Sequence, residues 1–141
     1  MRTFSRLLSV LLFLTLCFSC KHNTPEQEVG NMTKEFVDAL YNLNYEKAQT
    51  YCTPQSSAII SFLASNISEE HLSMVKKAGK AQVDILKVDI NEDETAATVL
   101  CKITNYLKLS LLDNQSCIDK EIEKEIDLIK DKGKWVVDLH M

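Results

Sequence analysis

AQVDILKVDI, residues 81–90, and AATVLCKITNYLKLSL, residues 96–111, are the stretches whose apolar period is two. In the first, Val83 and Ile85 alternate with polar partners, Leu86 intrudes, and Val88 and Ile90 resume on the other parity. Side chains alternate across a strand, so a one-residue slip in parity is what a β-bulge produces, and a sharp bend is expected at Ile85–Leu86. In the second stretch Ala97, Val99, Cys101, Ile103, Leu107, Leu109 and Leu111 share one face, with Asn105 its only polar member. The other face carries Thr98, Lys102, Thr104 and Lys108, so the sheet is expected to be dry on one side and wet on the other, as antiparallel sheets often are.

Asn91-Glu92-Asp93-Glu94 turns the chain between these strands, and Asp113-Asn114-Gln115-Ser116 turns it after the second. The segment from Cys117 to Lys130 fits either regular structure: Ile118, Ile122, Ile126 and Ile129 suit a helix, whereas Ile122, Ile126 and Leu128 suit a strand. The turn Asp131-Lys132-Gly133 followed by Trp135, Val137 and Leu139 reads as a closing hairpin, which favours the strand.

Upstream the period is helical. Val29, Met32, Phe36, Leu40 and Leu43 recur at spacings of three or four and lay an apolar stripe along one face. A second short helix is expected from Tyr45 to Cys52. A third has Pro54 just inside its start, where the missing amide would be unpaired anyway. A fourth is capped by Ser68, with Glu69 and Glu70 near the positive end of its dipole, and Gly79 is its expected stop. Helices first and strands after is the α+β pattern, with N-terminal helices packed on one face of a curved antiparallel β-sheet.

The first nineteen residues have a different character. Arg2 and Arg6 precede an apolar run from Leu7 to Phe18 interrupted only by Ser9 and Thr15. A run of about a dozen residues is shorter than the roughly 20 a membrane-spanning helix needs, so 1–19 reads as a signal peptide. Its end, Leu16-Cys17-Phe18-Ser19-Cys20, resembles the lipobox of bacterial lipoproteins, in which a small residue precedes the cysteine that is acylated. That resemblance implies lipid attachment at Cys20, membrane association through the lipid, and residence in the bacterial cell envelope, at the outer membrane facing the periplasm or the surface. The polar residues 20–27 then read as a lipid-anchored tether, and 28–141 as a single α+β domain.

Removing Arg2 and Arg6 leaves 14 Lys plus Arg against 20 Asp plus Glu, a formal charge of −6 where the whole chain has −4. An acidic chain with no basic run is a poor nucleic-acid binder, because phosphate neutralisation supplies most of that affinity. Of the five cysteines, Cys52, Cys101 and Cys117 remain within the domain. An oxidising compartment permits at most one disulfide among them. Cys52 with Cys101 is the favoured pairing, worth about 4 kcal/mol if unstrained; the alternative is three buried or free thiols. No cysteine pair has CxxC spacing, and neither His71 nor His140 stands near a cysteine in a metal-ligand pattern, so no metal and no cofactor is expected.

Three segments together carry a family likeness: Phe36-Val37-Asp38-Ala39-Leu40-Tyr41, then Asn44-Tyr45-Glu46-Lys47-Ala48, and Lys132-Gly133-Lys134-Trp135-Val136-Val137-Asp138. The chain resembles small bacterial lipoproteins that carry a domain of the nuclear-transport-factor-two-like (cystatin-like) superfamily. The resemblance implies a sheet wrapped around helices into a cone with a pocket at its open end. Isomerases and dehydratases are among that superfamily, and such chemistry needs an Asp or His inside the pocket. Here Asp84, Asp138 and His140 have the parity opposite to the apolar face, His71 sits beside Glu69 and Glu70, and no GxSxG, HExxH or phosphate-cradling glycine loop occurs. A non-enzymatic domain is expected. Tyr41, Tyr51, Phe62 and Asn105 are the candidate rim of a pocket for a small apolar ligand. The Thr98, Lys102, Thr104 and Lys108 face, or a sheet edge, is the alternative, a surface for another envelope protein.

Overall fold

A computed structural model describes residues 23–111 and 115–140; the signal peptide and Cys20 lie outside the described residues. Four helices precede four strands: α1 (Pro25–Tyr41), α2 (Tyr45–Gln49), α3 (Pro54–Ser65) and α4 (Glu69–Ala78), then β1 (Gln82–Ile90), β2 (Ala96–Lys108), β3 (Cys117–Asp131) and β4 (Lys134–Val137). The strands pair antiparallel with each sequence neighbour, in the order β1-β2-β3-β4. The α+β architecture is the expected one, and the ambiguous 117–130 segment is a strand.

Each helix begins where its sequence dictates. Thr24 accepts from the Gln27 amide at 3.3 Å while the Gln27 side chain accepts from the Thr24 amide at 3.2 Å, and Pro25 occupies the first turn. The last three residues of the 20–27 segment, read above as tether, are therefore the opening turn of α1. Thr53 caps α3 through the Ser56 amide, and Ser68 caps α4 in a box completed by His71, whose Nδ1 accepts from the Ser68 amide at 3.1 Å. Gly79 ends α4 at φ 83°, a left-handed backbone that suits glycine.

α1 is the helix that fills the concave side of the sheet. Val29, Phe36 and Val37 are completely buried, and so is Thr33, whose hydroxyl donates to the Val29 carbonyl at 2.8 Å rather than going unpaired. Gly30 faces β1, where a β-carbon would stand 3.4 Å from a Val88 methyl, so its small size sets how closely helix and sheet approach. The apolar stripe expected to run through Leu43 stops at Leu40. Leu43 lies in a turn at φ 62°, and Asn42 ties that turn to the sheet by accepting from the Ala81 amide at 2.9 Å.

Two backbone irregularities bend the strands. The register passes from Ile85 opposite Cys101 to Lys87 opposite Leu100, so Leu86 is the bulged residue expected from the parity slip. In β2, Ala97, Val99, Cys101 and Ile103 are buried as the period-two pattern requires, but Asn105 is left-handed at φ 55° and the next two residues, Tyr106 and Leu107, both turn inward. The apolar face expected to continue through Leu109 and Leu111 is broken there: β2 ends at Lys108, and Leu111 is exposed. At the other edge, Thr53 donates to the Val137 carbonyl and Val137 to that of Tyr51, which covers the outer side of β4 with residues 51–53.

Among the described residues the buried apolar ones lie between Val29 and Val137, and nearly all of them pack into one cluster.

The Asn105 amide donates to the carbonyls of Ala78, Gly79 and Lys80 at 2.9, 3.3 and 3.2 Å, clamping the end of α4 to the bend of β2. Asn105→Ala removes the clamp and replaces a residue that tolerates the left-handed region by one that disfavours it, and it should destabilise the domain by about 2 kcal/mol. Asn105→Gly loses only the clamp and should destabilise by about half as much. Urea denaturation with unchanged slope reads both; equal losses for the two variants would mean that the backbone at this position stores no strain.

Candidate functional site

Beyond the bend of β2 the sheet and helices diverge and leave a cavity of about 430 Å³, open on one side. Leu40 and Tyr41 enter it from the last turn of α1, Leu43 from the connection to α2, Tyr45 from the start of α2, and Leu63 from α3. The sheet contributes Tyr106 to Leu109 from the end of β2 and beyond, with Ile122 and Lys124 from β3. The helix caps set this geometry: Asn44 accepts from the Lys47 amide at 3.2 Å to start α2, which fixes Tyr45 in its first turn.

The tyrosines give the cavity its character. The Tyr41 and Tyr106 rings meet edge to face, centroids 5.6 Å apart at 84°. Burial pushes the Tyr41 phenol up to about 12, with Tyr106 and then Cys101 adding to it, and burial alone pushes Tyr45 up to about 12. Tyr106 is raised too, first by burial and then by the carboxylate of Asp119. All three are neutral hydrogen-bond donors at physiological pH. The lining is thus largely hydrocarbon, with hydroxyl groups as its fixed polar points and two lysines as its charges.

The four candidate rim residues separate. Tyr41 lines the cavity. Tyr51 packs against the core beside β4, its carbonyl accepting from the Val137 amide at 2.8 Å. Phe62 is 50% exposed on the outer side of α3, because the helix turns Leu63, not its neighbour, toward the cavity. Asn105 spends its amide on the end of α4. Tyr45, Leu63, Tyr106 and Lys124 are lining residues that the sequence reading did not single out. Lys124 had a signal: opposite Cys101 and between Ile122 and Ile126, it interrupts the inward parity of β3.

The Cys52–Cys101 pairing is absent from the structure, where Cys52, Cys101 and Cys117 are free thiols. Cys101 sits in β2 while Cys52 bridges to Val137 of β4, so β3 and β4 stand between them in the sheet. Burial raises the Cys52 thiol to about 12 and the Cys101 thiol to about 11, which makes both poor nucleophiles at neutral pH.

His71 caps α4, Asp84 is exposed, and Asp138 pairs with the exposed His140 at 3.4 Å; none lines the cavity. Among the described residues no group of three or more His, Cys, Asp or Glu is placed to hold a metal ion, and no helix is long and apolar enough to cross a membrane. A smaller hollow of about 290 Å³ lies at the β1–β2 turn, where the Asn91 side chain already accepts from the Thr95 and Ala96 amides at 2.8 and 3.0 Å.

No family model and no curated protein matches the chain. Among solved structures it is similar to a proposed NTF2-like transpeptidase from Campylobacter jejuni, at 19% identity and a TM-score of 0.52 over 84% of this chain and 100% of that one. It is also similar to a proposed dehydratase of the NTF2-like family from Streptomyces avermitilis, at 13% identity and a TM-score of 0.42, over 81% of this chain and 91% of that one. The first likeness fixes the fold as NTF2-like, in agreement with the superfamily resemblance and the cone-shaped sheet inferred from the sequence.

The raised phenols have a pH consequence. The unfolded chain ionises its tyrosines near 10 and the folded chain holds Tyr41 and Tyr45 neutral to about 12, so their contribution to stability is complete below 10 and is lost as pH rises through 12. Absorbance titration at 295 nm should show at least two of the four tyrosines, Tyr41 and Tyr45 among them, ionising only with alkaline unfolding. Four phenolates appearing together near pH 10 in a still-folded chain would show the cavity to be as wet as the surface.

Proposed function

We propose that this chain is a non-catalytic lipoprotein of the bacterial cell envelope whose NTF2-like domain holds a small, largely apolar ligand. The observation that carries the reading is the 430 Å³ cavity lined by leucines, an isoleucine and protonated tyrosines. Its size lies within the roughly 300–1,000 Å³ usual for small-molecule sites, and so does its mixture of apolar walls and a few hydroxyl donors.

Catalysis of the kinds performed on this fold would ask for a titratable base or a nucleophile at the cavity wall. The described lining residues include no Asp, Glu, His, Ser, Thr or Cys. Its phenols titrate several units above neutrality, so they are matched to donating hydrogen bonds and poorly matched to accepting protons. These features support binding over turnover.

Native mass spectrometry of residues 23–141, before and after denaturation, should reveal a small molecule that leaves on unfolding. Leu109→Glu, a change at a half-exposed lining position beyond β2, should weaken binding of the neutral apolar fluorophore N-phenyl-1-naphthylamine at least fivefold. A fluorophore that binds wild type and variant alike would place binding outside the cavity and defeat the reading.

The address rests on the N-terminal sequence. Two acyl chains or more hold a protein firmly on a bilayer, since each buried methylene contributes about 0.8 kcal/mol. Cys20→Ser in the full chain should therefore move the protein out of the acylated membrane fraction and abolish incorporation of labelled fatty acid. Labelling that persists in the variant would refute attachment at Cys20.

A further inference from the structure

We infer that the cavity takes a single-chain anionic amphiphile, of the long-chain carboxylate class, with its tail among the leucines and its head held by Lys124. The inference rests on the apolar-cavity reading and adds the chemistry of the head group.

The sign of the lining is the first argument. A chain with 20 acidic against 16 basic residues puts two lysines, Lys108 and Lys124, among the described lining residues of the cavity and no carboxylate; Asp119 stands behind Tyr106, bonded to its hydroxyl. The charged side chains of that described lining are both cationic, opposite in sign to the chain's net charge, which favours an anion beside them.

The position of Lys124 is the second. On β3 the inward parity reads Ile122, Lys124, Ile126, Leu128, opposite Ile103, Cys101, Val99 and Ala97 of β2, all four buried. Lys120 and Lys130 share this parity nearer the ends of β3, but of the three only Lys124 lines the cavity, where it is exposed to the open space between two isoleucines. Its sequence neighbours Glu123 and Glu125 lie on the opposite face, and so does the Lys102–Glu121 ion pair at 2.8 Å. Lysine on the outer face thus meets a carboxylate, whereas Lys124 has no ion-pair partner among the described residues. A bound carboxylate completes it.

Volume is the third. At about 430 Å³ the cavity is near the lower end of small-molecule sites and suits one hydrocarbon chain better than the two of a membrane phospholipid.

The test compares two ligands of equal length, laurate and 1-dodecanol, displacing N-phenyl-1-naphthylamine from residues 23–141 at neutral pH and below micellar concentrations. Wild type should bind laurate about fivefold more tightly than dodecanol, the scale of one solvent-accessible ion pair. The Lys124→Gln variant should bind the two about equally, and Lys124→Arg should keep the preference. Equal binding by wild type overturns the head-group inference while leaving the apolar-cavity reading intact. A preference that survives in Lys124→Gln overturns the assignment to Lys124. Displacement by neither ligand overturns both.

Discussion

The left-handed turn of Asn105 is the constraint on which the rest of the structure depends. A strand with strict alternation would have carried the apolar face of β2 straight on from Ile103. Instead, at φ 55° the backbone breaks the alternation and brings Tyr106 and Leu107 inward in succession. Asparagine is among the few residues besides glycine that visit this region readily, and here its side chain adds three hydrogen bonds to the end of α4. One residue therefore bends the strand, docks a helix that has no buried residue of its own, and aims Tyr106 at Tyr41.

The bulge at Leu86 is its counterpart on the neighbouring strand. Together the two irregularities curl the sheet around α1, which explains why one helix can supply so much of the core. Where α1 ends, the curl continues without a helix to fill it. The chain turns at Asn42 and Leu43, α2 is only five residues long, and the space between α3 and the ends of β2 and β3 stays open. The cavity is thus a consequence of mismatched lengths: a thirteen-residue and a fifteen-residue strand outrun the helix packed on them.

Much of this was legible in the sequence, and the reasons differ by element. The bulge was legible because a parity slip has one simple geometric meaning. The helix starts at Pro54 and Ser68 were legible because caps are local. The strand from Cys117 to Asp131 was recoverable only through its flanking turn, since its outward face is so polar that either period fits. The rim of the cavity was mostly illegible. Choosing Phe62 over Leu63 needed the rotation of α3 about its axis, which tertiary packing sets, and the apolar residues of α3 are spread around the helix rather than gathered on one face. Tyr51 was drawn to the edge of β4 by backbone pairing that no side-chain pattern encodes. The Cys52–Cys101 proposal counted thiols correctly and lacked the strand order that separates them.

Asn105 and Lys124 are polar residues on the inward parity of adjacent strands, and their different surroundings distinguish structure from function. Asn105 has a full complement of acceptors for its amide within the chain, so its polarity is explained by the fold, and a ligand would have to compete for it. Lys124 stands on β3 with Cys101 facing it, isoleucines two residues to either side, and an open cavity before it. A lysine can snorkel from such a place to water, so it need not destabilise the sheet. The position is exposed to the open cavity, so its charge stays hydrated without a ligand and is available to one. A charge that the core does not need, beside a cavity the fold leaves open, is where binding rather than folding sets the choice of residue.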